Sequence, residues 1–356
     1  MIKEFASGHK FEPRLLAWEV TTACNLACKH CRAEAVTEPD SKELSTQEGK
    51  EFMDDLAKMA SPILIFTGGE PLLRKDIFEL AAYGNNKGLK CVLAVNGTLL
   101  TPQITEKIMD CGIQRVAVSL DGPDRESHDN FRGVPGAFDS LMQGIENLKS
   151  QGMPFQINTT VTRNNLDSFQ DIFELAENLG AVAWHIFLLV PTGRASELRS
   201  EIITARKYEE VLNWFYDFRK DTHMQLKATC APHYHRILRQ RAKQEGIKVN
   251  QKNFGLDAHS KGCLGGINFC FLSSQGQVQP CGYLELDCGQ IRSEPFSQIW
   301  KNSPRFQKLR DPSQYKGKCG RCEYHRVCGG CRARAMTMYG DYLQEEPLCT
   351  HEPQEK

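Results

Sequence analysis

Three cysteines at C-x3-C-x2-C spacing, Cys24, Cys28 and Cys31, constrain this 356-residue chain more than any other feature. They follow an apolar run, Leu15-Leu16-Ala17-Trp18-Glu19-Val20, that reads as a strand. Thiolates so closely spaced in a strand-to-helix loop can converge on one soft metal centre. Three local thiols without a fourth point to an iron–sulfur cluster whose last iron stays open to a small molecule. A structural zinc site wants four protein ligands. The alternative is therefore a zinc knuckle that borrows a distant fourth ligand.

Fifteen cysteines in a chain of this length are the compositional anomaly. A secreted domain would use them as disulfides, but the N-terminus lacks the apolar core of an export signal. In a reducing cytosol clustered cysteines mean metal. The expectation is a cytoplasmic protein. Lys+Arg and Asp+Glu both total 44, which gives no electrostatic footprint for nucleic acid, and no apolar run reaches the length of a membrane span.

Between residues 15 and 220, apolar β-rich runs alternate with amphipathic stretches. Strands are expected at 15–20, 63–67, 90–95, 115–120, 155–161 and 184–190, with helices at 46–59, 76–86, 102–111, 137–150, 166–179 and 208–220. The alternation is that of β-α units around a parallel sheet. Six units make a partial (β/α)6 TIM-type barrel, an α/β fold. Ser45 with Glu48 three residues on, and Thr101-Pro102, mark helix starts. Ligands of such sheets sit at the C-terminal ends of the strands, where the first loop carries the three cysteines. Expected boundaries are an N-terminal segment 1–14, the barrel 15–220, a bridge 221–260 and a cysteine-rich domain 261–356. Cys230-Ala231-Pro232-His233-Tyr234-His235-Arg236 and the basic run after it, Arg239, Arg241 and Lys243, read as a linker with a solvated face, or as a lid whose cations meet an anionic substrate.

The loop after the first strand resembles the signature of the radical S-adenosylmethionine (SAM) enzymes, with His30 in the place of an aromatic residue near the adenine. Thr67-Gly68-Gly69-Glu70-Pro71 resembles the motif by which that family holds the SAM amino group. By the same resemblance Asn96, Ser119, Asp121, Arg132, Asn158 and Val190 lie near SAM, Arg132 as a fork for its carboxylate. The cysteines from Cys263 onward resemble the SPASM extension of this family. That implies one or two auxiliary [4Fe-4S] clusters, two being favoured. Cys263, Cys270, Cys281 and Cys331 would hold the nearer one, and Cys319, Cys322, Cys328 and Cys349 the outer. One departure is visible, since Cys328-Gly329-Gly330-Cys331 is a residue short of the usual spacing. A pair of structural zinc sites is the alternative. Cys230 and Cys288 are left over.

Within the family, the tail segments Val327-Cys328-Gly329-Gly330-Cys331-Arg332-Ala333-Arg334-Ala335 and Gly340-Asp341-Tyr342-Leu343 look like the alternative haem synthases. Their chemistry is oxidative decarboxylation of two propionates of iron-coproporphyrin III to vinyl groups. The expected partners are an iron-porphyrin substrate and an electron donor such as ferredoxin or flavodoxin. A haem d1 maturase acting on didecarboxysirohaem, or a peptide- or cofactor-modifying SPASM maturase, is the alternative. No acid–base pair or Ser-His constellation competes with radical chemistry.

Overall fold

The apolar runs of the barrel region become parallel strands, mostly buried at 15–21, 155–161 and 183–188 and alternating buried with less buried residues at 63–68, 90–94 and 116–119. The computed structural model describes residues 11–258 and 260–354. In chain order it has β1 (Leu15–Thr21), α1 (Thr46–Met59), β2 (Ile63–Gly68), α2 (Ile77–Asn86), β3 (Lys90–Ala94), α3 (Pro102–Asp110), β4 (Val116–Ser119), α4 (Arg125–Arg132), α5 (Ala137–Ser150), β5 (Phe155–Val161), α6 (Phe169–Asn178), β6 (Ala183–Leu188), α7 (Ala205–Phe218), β7 (Gln225–Thr229), α8 (His233–Gln244), β8 (Phe269–Leu272), β9 (Gln277–Gln279) and β10 (Gly289–Gln290). Short helices complete the C-terminal region, ending with Arg332–Tyr339. The export-signal question falls on residues 1–10, outside the described part.

The expected helix starts are built as their residue types dictate. The Ser45 hydroxyl accepts from the Glu48 amide while the Glu48 carboxylate accepts from the Ser45 amide at 2.8 Å, a reciprocal cap. Thr101 accepts from the Ile104 amide at 3.2 Å, with Pro102 in the first turn. Trp18 and Trp184, both without solvent exposure, anchor the core between sheet and helices.

Two expectations are corrected. The sheet runs β10-β9-β8-β1-β2-β3-β4-β5-β6-β7, parallel from β8 through β7. β8 pairs with β1, Leu16 opposite Cys270, so the cysteine-rich region continues the barrel sheet rather than standing beside it. At the other edge β7 pairs with β6, so the supposed bridge is a seventh β-α unit. Its basic helix is neither lid nor free cationic face. Arg236 pairs with Glu209 (Nη1 to Oε1 2.8 Å), Arg241 with Asp217 at 2.6 Å, and Arg239 donates to the His235 carbonyl at 2.9 Å. Acidic residues of α7 neutralise two of these cations. β7 was missed because Gln225-Leu226-Lys227-Ala228-Thr229 is a half-exposed edge strand without the apolar run of the others.

Candidate functional site

The three-cysteine loop is stitched at its start to the end of β2. The Gly69 amide donates to the Thr21 carbonyl at 2.8 Å, and the Glu70 amide to Ala23 at 2.7 Å. A Cβ at Gly69 would lie 2.1 Å from the Ala23 oxygen, and Gly68 sits at φ +143° against the Thr21 backbone. The paired glycines thus admit the neighbouring strand's backbone at close range. Pro71 opens a short 3-10 turn capped by Glu70, whose carboxylate accepts from the amides of Leu72 (3.0 Å) and Asn96 (2.7 Å). Full burial pushes the Glu70 carboxyl up to about 7. Asn96 and Thr98 reach across to the loop: Asn96 Nδ2 donates to Asn25 Oδ1, and Asn25 Nδ2 donates to the Thr98 hydroxyl, both at 2.8 Å. Glu43 closes the other side, accepting from the Thr22 amide at 2.7 Å and from the hydroxyls of Thr21 and Thr22.

Within the loop, Cys24 and Cys28 are buried and Cys31 half-buried. The Leu26 and Ala35 amides donate to the Cys24 and Cys31 sulfurs at 3.4 Å, and Arg132 Nη1 to Cys28 Sγ at 3.7 Å. Donors aimed at sulfur suit thiolates. Burial meanwhile pushes the Cys24 thiol up to about 11, so it ionises at neutral pH only when a cation takes its proton's place.

Arg132, from the end of α4, pairs through Nη2 with Asp121, and Asp121 Oδ1 accepts from the Thr160 amide at 2.6 Å. Its guanidinium is thus committed to Asp121 and Cys28, and only Nε is free of a partner. The fork that the resemblance assigns to a SAM carboxylate here meets Asp121 and Cys28. His30 stacks on Phe131, centroids 4.3 Å apart, and burial with the Arg132 charge holds its imidazole neutral. Ser119 and Asn158 stand opposite each other on β4 and β5. Val190 is displaced from this group: it packs against Cys331 and Leu284.

Three further residues complete the site. Arg194 donates from its backbone to the Cys31 carbonyl and from its side chain to those of Cys28 and Ala35, all at 3.0 Å. Arg32 pairs with Glu19 at 2.6 Å, reaches the Gly282 carbonyl at 3.4 Å and lies over Phe271. It ties the first thiol loop to the loop carrying Cys281. Tyr283 packs in the side-chain cluster that contains Cys331, together with Cys281 and Cys230, and is within electrostatic reach of Cys31. Adjacency to Cys31 was the available signal for Arg32; Arg194 ends the segment 189–194 after the sixth strand, which the family resemblance offers as an adenosine contact; nothing local marks Tyr283.

The eight C-terminal thiols divide unevenly. Cys319, Cys322, Cys328 and Cys349 line one cavity, together with His233, Arg236 and Lys318. Cys263, Cys281 and Cys331 are also near one another. Cys270 is not with them: it is fully buried in β8, in the main core beside Cys288. A strand residue facing the core cannot also face the loops at the strand ends, which the spacing alone did not reveal.

These residues fit iron–sulfur clusters better than single ions. Thiolates on one tetrahedral zinc, at 2.3 Å each, would stand about 3.8 Å apart. Among the described residues only Cys322, Glu323 and His351 bring three ligand atoms within 4.8 Å of one another, and His351 there already pairs with Glu323. Among the described residues no set of three thiols is drawn that tightly, a spacing that suits ligands shared among several irons. Buried polar atoms without partners surround the same places: His30 Nδ1, Arg132 Nε and Arg194 Nη2 by the first loop, and both His233 nitrogens by the outer cavity. Such atoms call for a group that satisfies them.

A parallel barrel sheet with an open three-thiol loop at the end of its first strand defines a radical SAM enzyme. The family model described as "Radical SAM superfamily" matches residues 18–176, and that described as "Iron-sulfur cluster-binding domain", SPASM, matches 263–332. Streptococcus suis SuiB bound to its precursor peptide has the same fold, with a TM-score of 0.76 at 15% identity, covering 96% of this chain and 76% of that one. An "AdoMet-dependent heme synthase" of Oleidesulfovibrio alaskensis is 63% identical over 343 residues, 96% of this chain and 88% of the relative. Another from Methanosarcina barkeri is 56% identical, covering 97% of this chain and 98% of the relative. The chain belongs to the radical SAM/SPASM enzymes and, within them, to the family of the AdoMet-dependent haem synthases.

Proposed function

We propose that this protein is a haem synthase that converts two propionates of iron-coproporphyrin III to vinyl groups. The observation that carries this is the 63% identity to a haem synthase across nearly the whole chain. Each conversion removes one hydrogen atom from the propionate β-carbon, releases carbon dioxide and passes on one electron. SAM bound at the open iron of the Cys24/Cys28/Cys31 cluster would supply, on one-electron reduction, the 5′-deoxyadenosyl radical that takes the hydrogen.

This chain's residues hold and shield that chemistry. Gly68, Gly69, Glu70 and Pro71 form the strand end bonded to the start of the three-cysteine loop and would hold the SAM amino group, Glu70 as its carboxylate partner. Arg132 and Arg194 hold the Cys28–Cys31 segment through the sulfur and carbonyls of Cys28 and the carbonyl of Cys31. Asn96, Ser119, Asp121, Asn158 and His30 are proposed to bound the rest of the SAM pocket, with Val190 on its auxiliary side. The electron left after decarboxylation needs an acceptor; the C-terminal thiols would hold two auxiliary [4Fe-4S] clusters able to supply one-electron chemistry, and Arg32 links the first loop to the Cys281 loop through the Gly282 carbonyl. The reducing electron would come from a ferredoxin or flavodoxin in the cytoplasm. Among the described residues no helix is long and apolar enough to cross a membrane.

The test is an anaerobic turnover of reconstituted, reduced protein with SAM and iron-coproporphyrin III. Two successive porphyrin mass losses, each of one carbon dioxide and two hydrogens and each matched by one 5′-deoxyadenosine, are expected. Deoxyadenosine with an unchanged porphyrin would sink the substrate; no SAM cleavage by cluster-loaded, reduced protein would sink the mechanism.

A further inference from the structure

We propose that Cys230, not Cys270, completes the thiol set of the nearer auxiliary cluster, together with Cys263, Cys281 and Cys331. This rests on the two-cluster reading above and assigns its ligands.

Cys230 lies in the loop between β7 and α8, more than thirty residues before the SPASM match begins. Four chain segments meet there. The loop presses on the Cys263 segment: a Cβ on Gly262 would lie 2.4 Å from the Pro232 Cβ. The Cys263 amide donates to the Cys328 carbonyl at 3.1 Å, joining that segment to the Cys328–Cys331 turn. Gly265 approaches Cys281, whose Cβ is 3.7 Å from an added Cβ. The Cys331 segment is fastened to Cys230 through a buried ion pair. Glu346 Oε2 accepts from the Cys331 amide at 2.7 Å, Glu346 pairs with Arg334 at 3.1 Å, and Arg334 Nη2 donates to the Cys230 carbonyl at 2.9 Å.

The thiols follow their segments. Cys230 and Cys281 pack against the cluster of side chains that contains Cys331, and Cys230 is within electrostatic reach of Cys263, Cys281 and Cys331 together. Among the described residues, the ionisable groups that act on Cys270 are Cys288 and Arg310. Cys230 also takes φ +54°, a left-handed backbone uncommon for a residue with a Cβ. The Arg334 and Tyr208 donors on its carbonyl hold it there, the tyrosine at 2.7 Å. Ligation would replace the thiol proton with an iron–sulfur bond, leaving four thiolates for four irons.

The test uses the full chain with Cys24, Cys28 and Cys31 all changed to alanine, so that only auxiliary clusters remain. Anaerobic reconstitution of this parent should give about eight irons, four per cluster. Adding Cys230→Ala should halve the iron and remove one reduced-cluster EPR signal, the remaining outer-cluster signal reporting that the protein is folded. Cys230→Ser should keep the iron and shift the g-values of one signal. Cys270→Ala should leave iron and spectra as in the parent. Full iron with an unchanged spectrum in Cys230→Ala, or loss of the same signal in Cys270→Ala, would overturn the assignment of Cys230. A parent with iron for only one cluster would overturn the two-cluster reading itself, and this assignment with it.

Discussion

Arg132 and Asp121 form an ion pair beneath Cys28 in which the Asp121 side chain is 0% and that of Arg132 8% exposed. Asp121 receives the Thr160 amide on its other oxygen, while the other end of the guanidinium fork reaches the Cys28 sulfur. The end of α4 is thus fastened to the loop after β4, through Asp121 to Thr160 on β5, and to a metal-site thiol.

Asp121→Asn leaves the arginine charge buried without its counter-ion, which typically costs about 3–5 kcal/mol. The chemical denaturation midpoint of the protein should fall accordingly. A change below about 1 kcal/mol, the value of an exposed pair, would mean that the pair does not organise the site.

Glu70 predicts a pH dependence in the protein without added SAM. Its folded-state value of about 7 lies above the ordinary 4.5, so the folded chain keeps a proton that the unfolded chain gives up. This contribution is full below about 4.5 and is lost as pH rises through 7. The parent should lose on the order of 3 kcal/mol relative to Glu70→Gln between pH 5 and 8. Parallel stability curves for the two proteins would contradict it.

Glu346 carries the same kind of prediction for the C-terminal region. Both partners of the Arg334–Glu346 pair are 1% exposed, and Glu346 also accepts the Cys331 amide. Glu346→Gln should cost about 3 kcal/mol or more. The double change Glu346→Gln with Arg334→Met should recover part of that loss, because the uncompensated charge goes too. Additive losses in the double-mutant cycle would show the two residues to be uncoupled.

Gly69→Ala should destabilise by about 1–3 kcal/mol through overpacking, since the added carbon meets backbone rather than a movable side chain. Gly69 is not among the glycines with positive φ, so no left-handed strain adds to this cost. A loss below about 0.5 kcal/mol, the range of an ordinary surface substitution, would mean that the contact with Ala23 contributes nothing.

The sequence by itself determined the parts of this protein that depend on local chemistry. Six apolar runs, the caps of α1 and α3, the C-x3-C-x2-C loop and the glycine pair at Gly68 and Gly69 were all legible, because each is a pattern over a few neighbouring residues. Only the tertiary structure decided what depends on facing and register. β8 joins β1 and turns Cys270 into the core; β7 closes the opposite edge and brings Cys230 among the C-terminal thiols. Cysteine spacing cannot say which side of a strand a thiol faces, and a charge run cannot say that α7 supplies its counter-ions. Arg132 shows the same limit, since Asp121 becomes its partner only when the ends of α4 and β4 meet across the barrel mouth.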